Sequence, residues 1–497
     1  MVDMTPTMGY AFLVINGIFL VAIGYTARRS QVRNFEDFEV AGRRVRWPLV
    51  AGSFVVTFTW ASTILVAGEA GYNFGWPALW IYPISAAGFA ITVPVWLRIK
   101  RSLPDGTTYP EFVRLRFGRN THILTTLVTL AIHFIVLFYL IIGLGFGFSP
   151  LFGLEFWEAV VFGGAIIILF TVLGGLWSSL MTDYFQYLVV WVVVSLVFVF
   201  GTNAVGGLGA VYDNLASQGM TKGFALVTED SFFNYFFVYL FGWLFYPLVD
   251  QTVWQRVYAI EDPEDTARTI SVAMLTWAFL PAMGVLIGII GAAGGVGFDS
   301  PSEIVAATVS TYAPAWLVVL FALLVFNAIA STLGSMLVAM SGIITKDIYD
   351  EYIGDLDDDR KMLYDQVIVV AMGALVIFLA VTFRSSILAV SIFLGAFYVV
   401  ISVPTFVAFV WPRAHRRAVF ASIAWGFAIA LTLGYAVNFD VVNEIAGVPL
   451  TIWGLYAFMM FSEVAIIVAG SILLGSDAVP IEQIGERAAR EGIPGDD

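Results

Sequence analysis

Apolar runs about as long as a bilayer is thick recur along the chain, separated by short charged or Gly/Pro-containing links. A helix needs about 20 apolar residues to cross the hydrocarbon core. Thirteen stretches approach that length: residues 9–27, 47–70, 75–97, 121–147, 156–177, 182–206, 231–252, 269–293, 314–343, 364–383, 385–410, 416–437 and 449–475. The pattern predicts an all-α polytopic membrane protein of about 13 transmembrane helices, a single domain over 1–475 with a loose polar tail over 476–497. The first run reads as a retained helix rather than a signal peptide, because no basic segment leads it.

The cations orient these spans. With the N-terminus outside, 22 of the 24 Lys and Arg fall in the inner links, and only Lys222 and Arg384 fall outside. Basic residues accumulate in cytoplasmic loops near membrane ends. The expectation is therefore a multi-pass protein of the cell membrane, N-terminus outside and C-terminus cytoplasmic, with the lipid bilayer as its main partner.

Composition narrows the function. The chain is 60% hydrophobic and 12% charged, against roughly 45–50% and about 25% in soluble proteins. A cytosolic enzyme, a secreted disulfide module and a nucleic-acid binder are all excluded. With no Cys and 3 His, thiolate, disulfide and zinc chemistry have no residues to use. No HExxH or GxSxG motif and no paired Asp-rich loop points to a membrane enzyme. No pore loop or charged ring points to a channel. The net charge of −13, with 20 Arg against 4 Lys, reads as a surface adapted to high salt, as in a halophile. No obligate protein partner is evident.

Two spans are interrupted. The second, Leu49 to Thr63, is rich in Ser, Thr and β-branched residues and runs on to Gly68, Glu69 and Gly71. The seventh carries Gly242 and Pro247, and a proline inside a helix removes a hydrogen bond and clashes with the preceding turn. Non-helical backbone at membrane depth is tolerated only where protein or a watery cavity surrounds it. The two spans lie five apart, each opening a set of five helices, with repeats of roughly 47–206 and 231–410. An odd number of spans per repeat inverts the second copy and brings the two breaks together near the midplane, the plan of a secondary transporter.

Several stretches resemble the sodium:solute symporter family, with its LeuT-like fold. They are Ala41-Gly-Arg-Arg44, Gly174-Gly-Leu-Trp-Ser-Ser-Leu-Met-Thr-Asp183-Tyr-Phe-Gln186, Asn327-Ala-Ile-Ala-Ser331-Thr332-Leu-Gly-Ser335 and Lys346-Asp347-Ile348-Tyr349, in family order over roughly residues 8–415. Phe58-Thr-Trp60-Ala-Ser-Thr63, Ala70-Gly-Tyr72-Asn-Phe-Gly75 and Val249-Asp250-Gln251-Thr-Val-Trp254-Gln255-Arg256 are most similar to its urea-transporting branch.

The resemblance implies symport of sodium, the coupling ion, with a small polar organic solute by alternating access. Urea is favoured; an amino acid such as proline, a monocarboxylate or pantothenate are the alternatives, and a transporter-like sensor is a further one. It implies a sodium site made of the Ser331 and Thr332 hydroxyls and the backbone carbonyls of Phe58, Ala61 and Ala328, with the span-2 register open by one or two residues. Read without the family, Ser331 and Thr332 would bond back to their own helix. Trp60, Ser62, Thr63, Trp243 and Tyr246 are the expected substrate lining, with Tyr246 as an inner gate.

Asp183 is expected on the ion exit route, where an intramembrane carboxylate is a functional hypothesis by default, or as a helix cap. Asp250 and Gln251 are gate candidates, with an Asp250–Arg256 pair as the plainer reading. Glu69 reads as an external-vestibule charge or a solvated carboxylate, and His133 as a packed histidine.

Overall fold

The computed structural model describes residues 4–59, 61–219, 236–354, 356–438, 444–445 and 448–491. Among them, 11 helices are long and apolar enough to cross a membrane, and a bent pair makes up to 12. The remaining expected span, 231–252, falls partly outside the described residues, so 13 crossings are not all represented. The architecture is helical throughout, apart from two-residue strands at Glu444–Ile445 and Val448–Pro449.

The elements that matter below are α1 (Pro6–Ser30), α2 (Trp47–Phe58), α3 (Ala61–Phe74), α4 (Ile81–Ser102), α5 (Arg119–Phe152), α6 (Phe156–Val205), α7 (Val238–Trp243), α8 (Gln251–Ala259), α9 (Asp265–Trp277), α10 (Leu280–Ala293), α11 (Ala315–Gly342), α12 (Asp358–Thr382), α13 (Ile387–Val410), α14 (Arg416–Ile429) and α15 (Ile452–Leu474). The crossings that contain α11 and α13 are each 83% buried, against 28% for α12 and 22% for α15. The first two are therefore central, and the last two present most of their surface to lipid.

At 50 residues, a straight α6 would be about 75 Å long, far more than one bilayer. It is instead two crossings, Phe156–Asp183 and Gln186–Val205, and its backbone leaves helical geometry at Gly175, with φ 52° and ψ −142°. A side chain there would meet Phe38 at 2.6 Å, so glycine supplies both the conformation and the space.

The links gather at two ends. At one, the Arg43 guanidinium donates to the Asp105 and Gly106 carbonyls, each at 2.8 Å. Lys346 pairs with Glu111 at 3.0 Å, Arg114 with Glu351 at 3.1 Å and Arg101 with Glu264 at 2.8 Å. Arg98 pairs with Glu482. This basic end unites links that the cation count placed together. At the other end Arg384 pairs with Glu303 at 2.7 Å.

The tail differs from expectation. Ile481 and Ile484 are buried, and Arg487 Nη1 donates to the Leu115 carbonyl at 2.9 Å. The apolar face of its short helix Ile484–Glu491 gives the segment a reason to dock.

Candidate functional site at two broken helices

The second span bends by 43° between Trp47–Phe58 and Thr63–Phe74. The last carbonyls of a helix have no intrahelical donor, and α2 ends here, with the Thr59 N–H closing back on Val55 and Val56. The carbonyl left at Thr57 faces α11, where Thr332 Oγ1 lies 2.9 Å from it and 3.0 Å from the Ala328 carbonyl. One hydroxyl proton cannot serve two carbonyls fully. Three hard oxygens thus converge at the negative end of the α2 dipole, an arrangement that suits a small cation.

The carbonyls expected from the second span were those of Phe58 and Ala61, with the register open by one or two residues. The structure turns the one before Phe58 toward Thr332, while the Phe58 ring packs against Phe89 and Tyr246, with ring centroids at 5.1 and 6.3 Å. Ala61 opens α3 on the far side of the break.

Next to these oxygens, toward the basic end, lies a buried polar cluster. Ser331 Oγ is 2.9 Å from Ser179 Oγ, which is 3.0 Å from Ser335 Oγ. Ser53 Oγ donates to Asp183 Oδ2 at 2.5 Å, and Ser179 Oγ lies 3.4 Å from the same oxygen. Arg256 donates to Ser53 Oγ at 3.1 Å, to Ser335 Oγ at 3.0 Å and to Thr57 Oγ1. Its Nη2 is 3.8 Å from Asp183 Oδ2. Asp183 Oδ1 is buried and accepts no hydrogen bond among the described residues.

The second break runs from α7 through a 3-10 turn at Tyr246–Leu248 to α8. Asp250 caps α8: its Oδ1 accepts from the Thr252 N–H at 2.9 Å, and its Oδ2 accepts from the Tyr398 hydroxyl at 3.0 Å. The Asp250–Arg256 pairing is therefore not made, because Asp250 serves the helix end and Arg256 turns to Asp183. Gln251 clamps the link before residue 110, donating to the Thr107 carbonyl and accepting from the Tyr109 N–H, both at 2.9 Å.

Between the two breaks sits a cavity of about 40 Å³, lined by Phe58, Thr63, Val66, Ser85, Tyr139, Tyr239, Trp243, Tyr246, Trp277 and Ser391. Tyr246 packs edge-on against Trp243 at 5.4 Å and Tyr398 at 5.3 Å. Trp60 lies outside the described residues, as does the side chain of Ser62.

Glu69 is neither an exposed vestibule charge nor a solvated carboxylate. It is buried, and its oxygens accept from Ser302 Oγ and Ser386 Oγ, each at 2.7 Å, at the N-terminal end of α13. Free N–H groups there favour an anion. His133 is packed as expected, with Nδ1 2.7 Å from the Thr129 carbonyl.

Sequence reasoning missed Ser53, Thr57, Ser179 and Ser335, and the role of Arg256. The signal was present as spacing. Ser53 and Thr57, Ser179 and Asp183, Ser331 and Ser335, and Thr252 and Arg256 are each four residues apart, which places each pair on one helix face.

Residues 38–426 match the sodium:solute symporter family. The chain belongs to that family. The chain is 24% identical over 398 residues to probable urea active transporter 1 of Schizosaccharomyces pombe, a match covering 73% of this chain and 59% of that protein. It is 26% identical to a urea-proton symporter of Oryza sativa subsp. japonica, covering 94% of this chain and 70% of that one. The chain thus spans about three-fifths of the length of the first of these relatives. In structure the chain resembles a Na+-coupled sialic acid symporter in a substrate-bound outward-open state, with a TM-score of 0.79 at 18% identity, over 95% of this chain and 98% of that one. That likeness establishes the fold.

Proposed function

We propose that this protein is a secondary active transporter that moves a small urea-like solute together with sodium into the cell by alternating access. The carrying observation is a small cavity lined by both helix breaks, set beside a cluster of carbonyl and hydroxyl oxygens where the first break meets α11. Urea offers one carbonyl oxygen and a pair of amide nitrogens, which matches the space.

In this reading Thr57, Ala328, Ser331 and Thr332 hold sodium, with the carbonyls of Phe58 and Ala61 flanking the break. Thr63, Trp243 and Tyr246 hold the solute, and Trp60 and Ser62 belong to the same broken segment. The sodium exit runs past Asp183, toward a basic end that is cytoplasmic. Asp250 and Gln251 keep α8 fixed to its neighbours while that end is closed. Sodium bridging α2 and α11 stabilises one arrangement of the breaks, and solute binding in that arrangement is favoured by the same amount that it favours sodium.

The test is uptake of labelled urea into proteoliposomes under an inward sodium gradient and, separately, an equal potassium gradient. Concentrative uptake with sodium alone, abolished by Thr332→Ala, is expected. Equal uptake under both gradients would remove sodium from the mechanism, and sodium-dependent flux of a larger solute without urea would remove the urea assignment.

A further inference from the structure

A second pair of buried acids lies at the basic end, outside the site described above. Glu39 is on the short helix Phe35–Val40, which leads toward α2, and Asp365 is about two turns into α12. Both are wholly excluded from solvent, and the Glu39 helix packs against α12, which brings the two carboxyls to bear on each other.

Few donors reach them. Thr345 Oγ1 donates to Asp365 Oδ1 at 2.5 Å, and Gln255 Nε2 donates weakly to Glu39 Oε2 at 3.4 Å. Glu39 Oε1 and Asp365 Oδ2 accept from no donor among the described residues.

The surrounding charges do not supply what is missing. Lys346, the cation whose charge bears on Glu39, is committed to Glu111 Oε2 at 3.0 Å and Thr107 Oγ1 at 2.9 Å. Asp350, which faces Asp365, is held by Lys361 at 2.8 Å. Asp347 faces His122 at 3.1 Å, and Arg256, the cation of α8, turns to Asp183. The backbone of α11 closes one side of the pair, where a side-chain carbon on Gly342 would sit 2.2 Å from Glu39 Oε2. Two ionised carboxylates do not share such a contact in a dry interior, so one keeps its proton. Burial, with the Asp365 charge adding to it, holds the Glu39 carboxyl well above the usual carboxylate range.

We propose that Glu39 and Asp365 form a proton-binding site that holds the cytoplasmic side of the transporter closed through one shared proton. The pair joins the helix feeding α2, α8 through Gln255, the end of α11 through Thr345, and α12. The proposal rests on the symport reading, in which α2 and α8 separate from α11 and α12 when the inner side opens. Separation admits water, the bridging O–H breaks, and the proton leaves to the cytosol with both acids ionised. Closure takes one proton back. Acid therefore favours the closed inner side and alkali the open one.

The chain has no cysteine, so Ala339→Cys gives a single reporter thiol. Ala339 lies four residues after Ser335 and three before Gly342, on the helix face between the two clusters. In lipid nanodiscs the full chain is titrated while the infrared band of protonated carboxyl and the alkylation rate of the Ala339→Cys thiol are followed. Each rate is divided by that of the same reporter with Glu39→Gln, which cancels the thiol's own titration.

The expected result is a protonated-carboxyl band that disappears as pH rises and is lost in Glu39→Gln. The relative alkylation should rise about tenfold over the same range. Asp365→Asn should behave like Glu39→Gln, and the band in the unsubstituted protein decides the matter if either variant fails to fold. A flat relative rate, or no band that responds to these substitutions, would overturn the proposal. Loss of urea flux with band and accessibility change intact would sink the solute assignment and leave the proton site standing.

Discussion

Arg256 Nη2 lies 3.8 Å from Asp183 Oδ2, and both side chains are wholly buried. The pair ties α8, the continuation of the second break, to the kinked helix α6, and it stands between the Thr332 oxygens and the basic end. A charge in that position is costly unless its partner and its hydroxyl donors are present.

Removing both members should therefore cost less than the two single removals added together. Arg256→Met or Asp183→Leu should each destabilise by roughly 3–5 kcal/mol, and the double substitution by clearly less than the sum. Thermal unfolding of the four proteins in one detergent measures this. Additive losses would show that the two charges do not act on each other.

At Thr332 the hydroxyl, rather than the side-chain shape, carries the expected role. Thr332→Val should raise the sodium concentration needed for half-maximal urea uptake by about tenfold or more, a loss of about 1.4 kcal/mol or more, while Thr332→Ser stays near the parent. A sodium titration of initial uptake rates separates them, and equal behaviour of Val and Ser would place the ion elsewhere.

Two glycines with positive φ should respond differently. Gly175→Ala combines a strained conformation with a contact to Phe38 at 2.6 Å, so a loss of roughly 3 kcal/mol or more is expected. Gly118→Ala, with φ 85° and nothing within 4 Å, should lose only the strain, about 1–2 kcal/mol. The order of the two melting temperatures is the check.

Glu111 gives a pH dependence outside the membrane. Burial alone would raise its carboxyl, but the Lys346 charge and the Thr107 and Thr108 N–H groups outweigh it and hold it below the usual range. A depressed carboxylate contributes stability above its unfolded pKa and loses it as pH falls through the folded value. The stability gap between the parent and Glu111→Gln should thus be full at neutral pH and shrink on acidification through and below the ordinary carboxylate range. Melting temperatures measured across that interval test the sign, and a gap that widens toward acid would contradict it.

The sequence alone determined that the chain is a multi-span helical membrane protein, which spans are interrupted, and which links share an end. Those properties follow from segment length, from Pro247 and the polar second span, and from cation counts. Each is local, and the bilayer enforces it whatever the neighbours are. Asp183 stood out because a carboxylate is expensive among apolar runs, whereas Ser331, Thr332 and Tyr246 were pointed to only by the family resemblance. What only the tertiary structure decided is pairing. Asp250 lies six residues from Arg256 yet caps its own helix and bonds Tyr398, while Arg256 reaches Asp183. The Thr57 carbonyl meets Thr332 across 275 residues of sequence, and Glu39 meets Asp365. A helix fixes which residues share its face, but which face of another helix it meets depends on how all the spans pack together, and no local pattern carries that information.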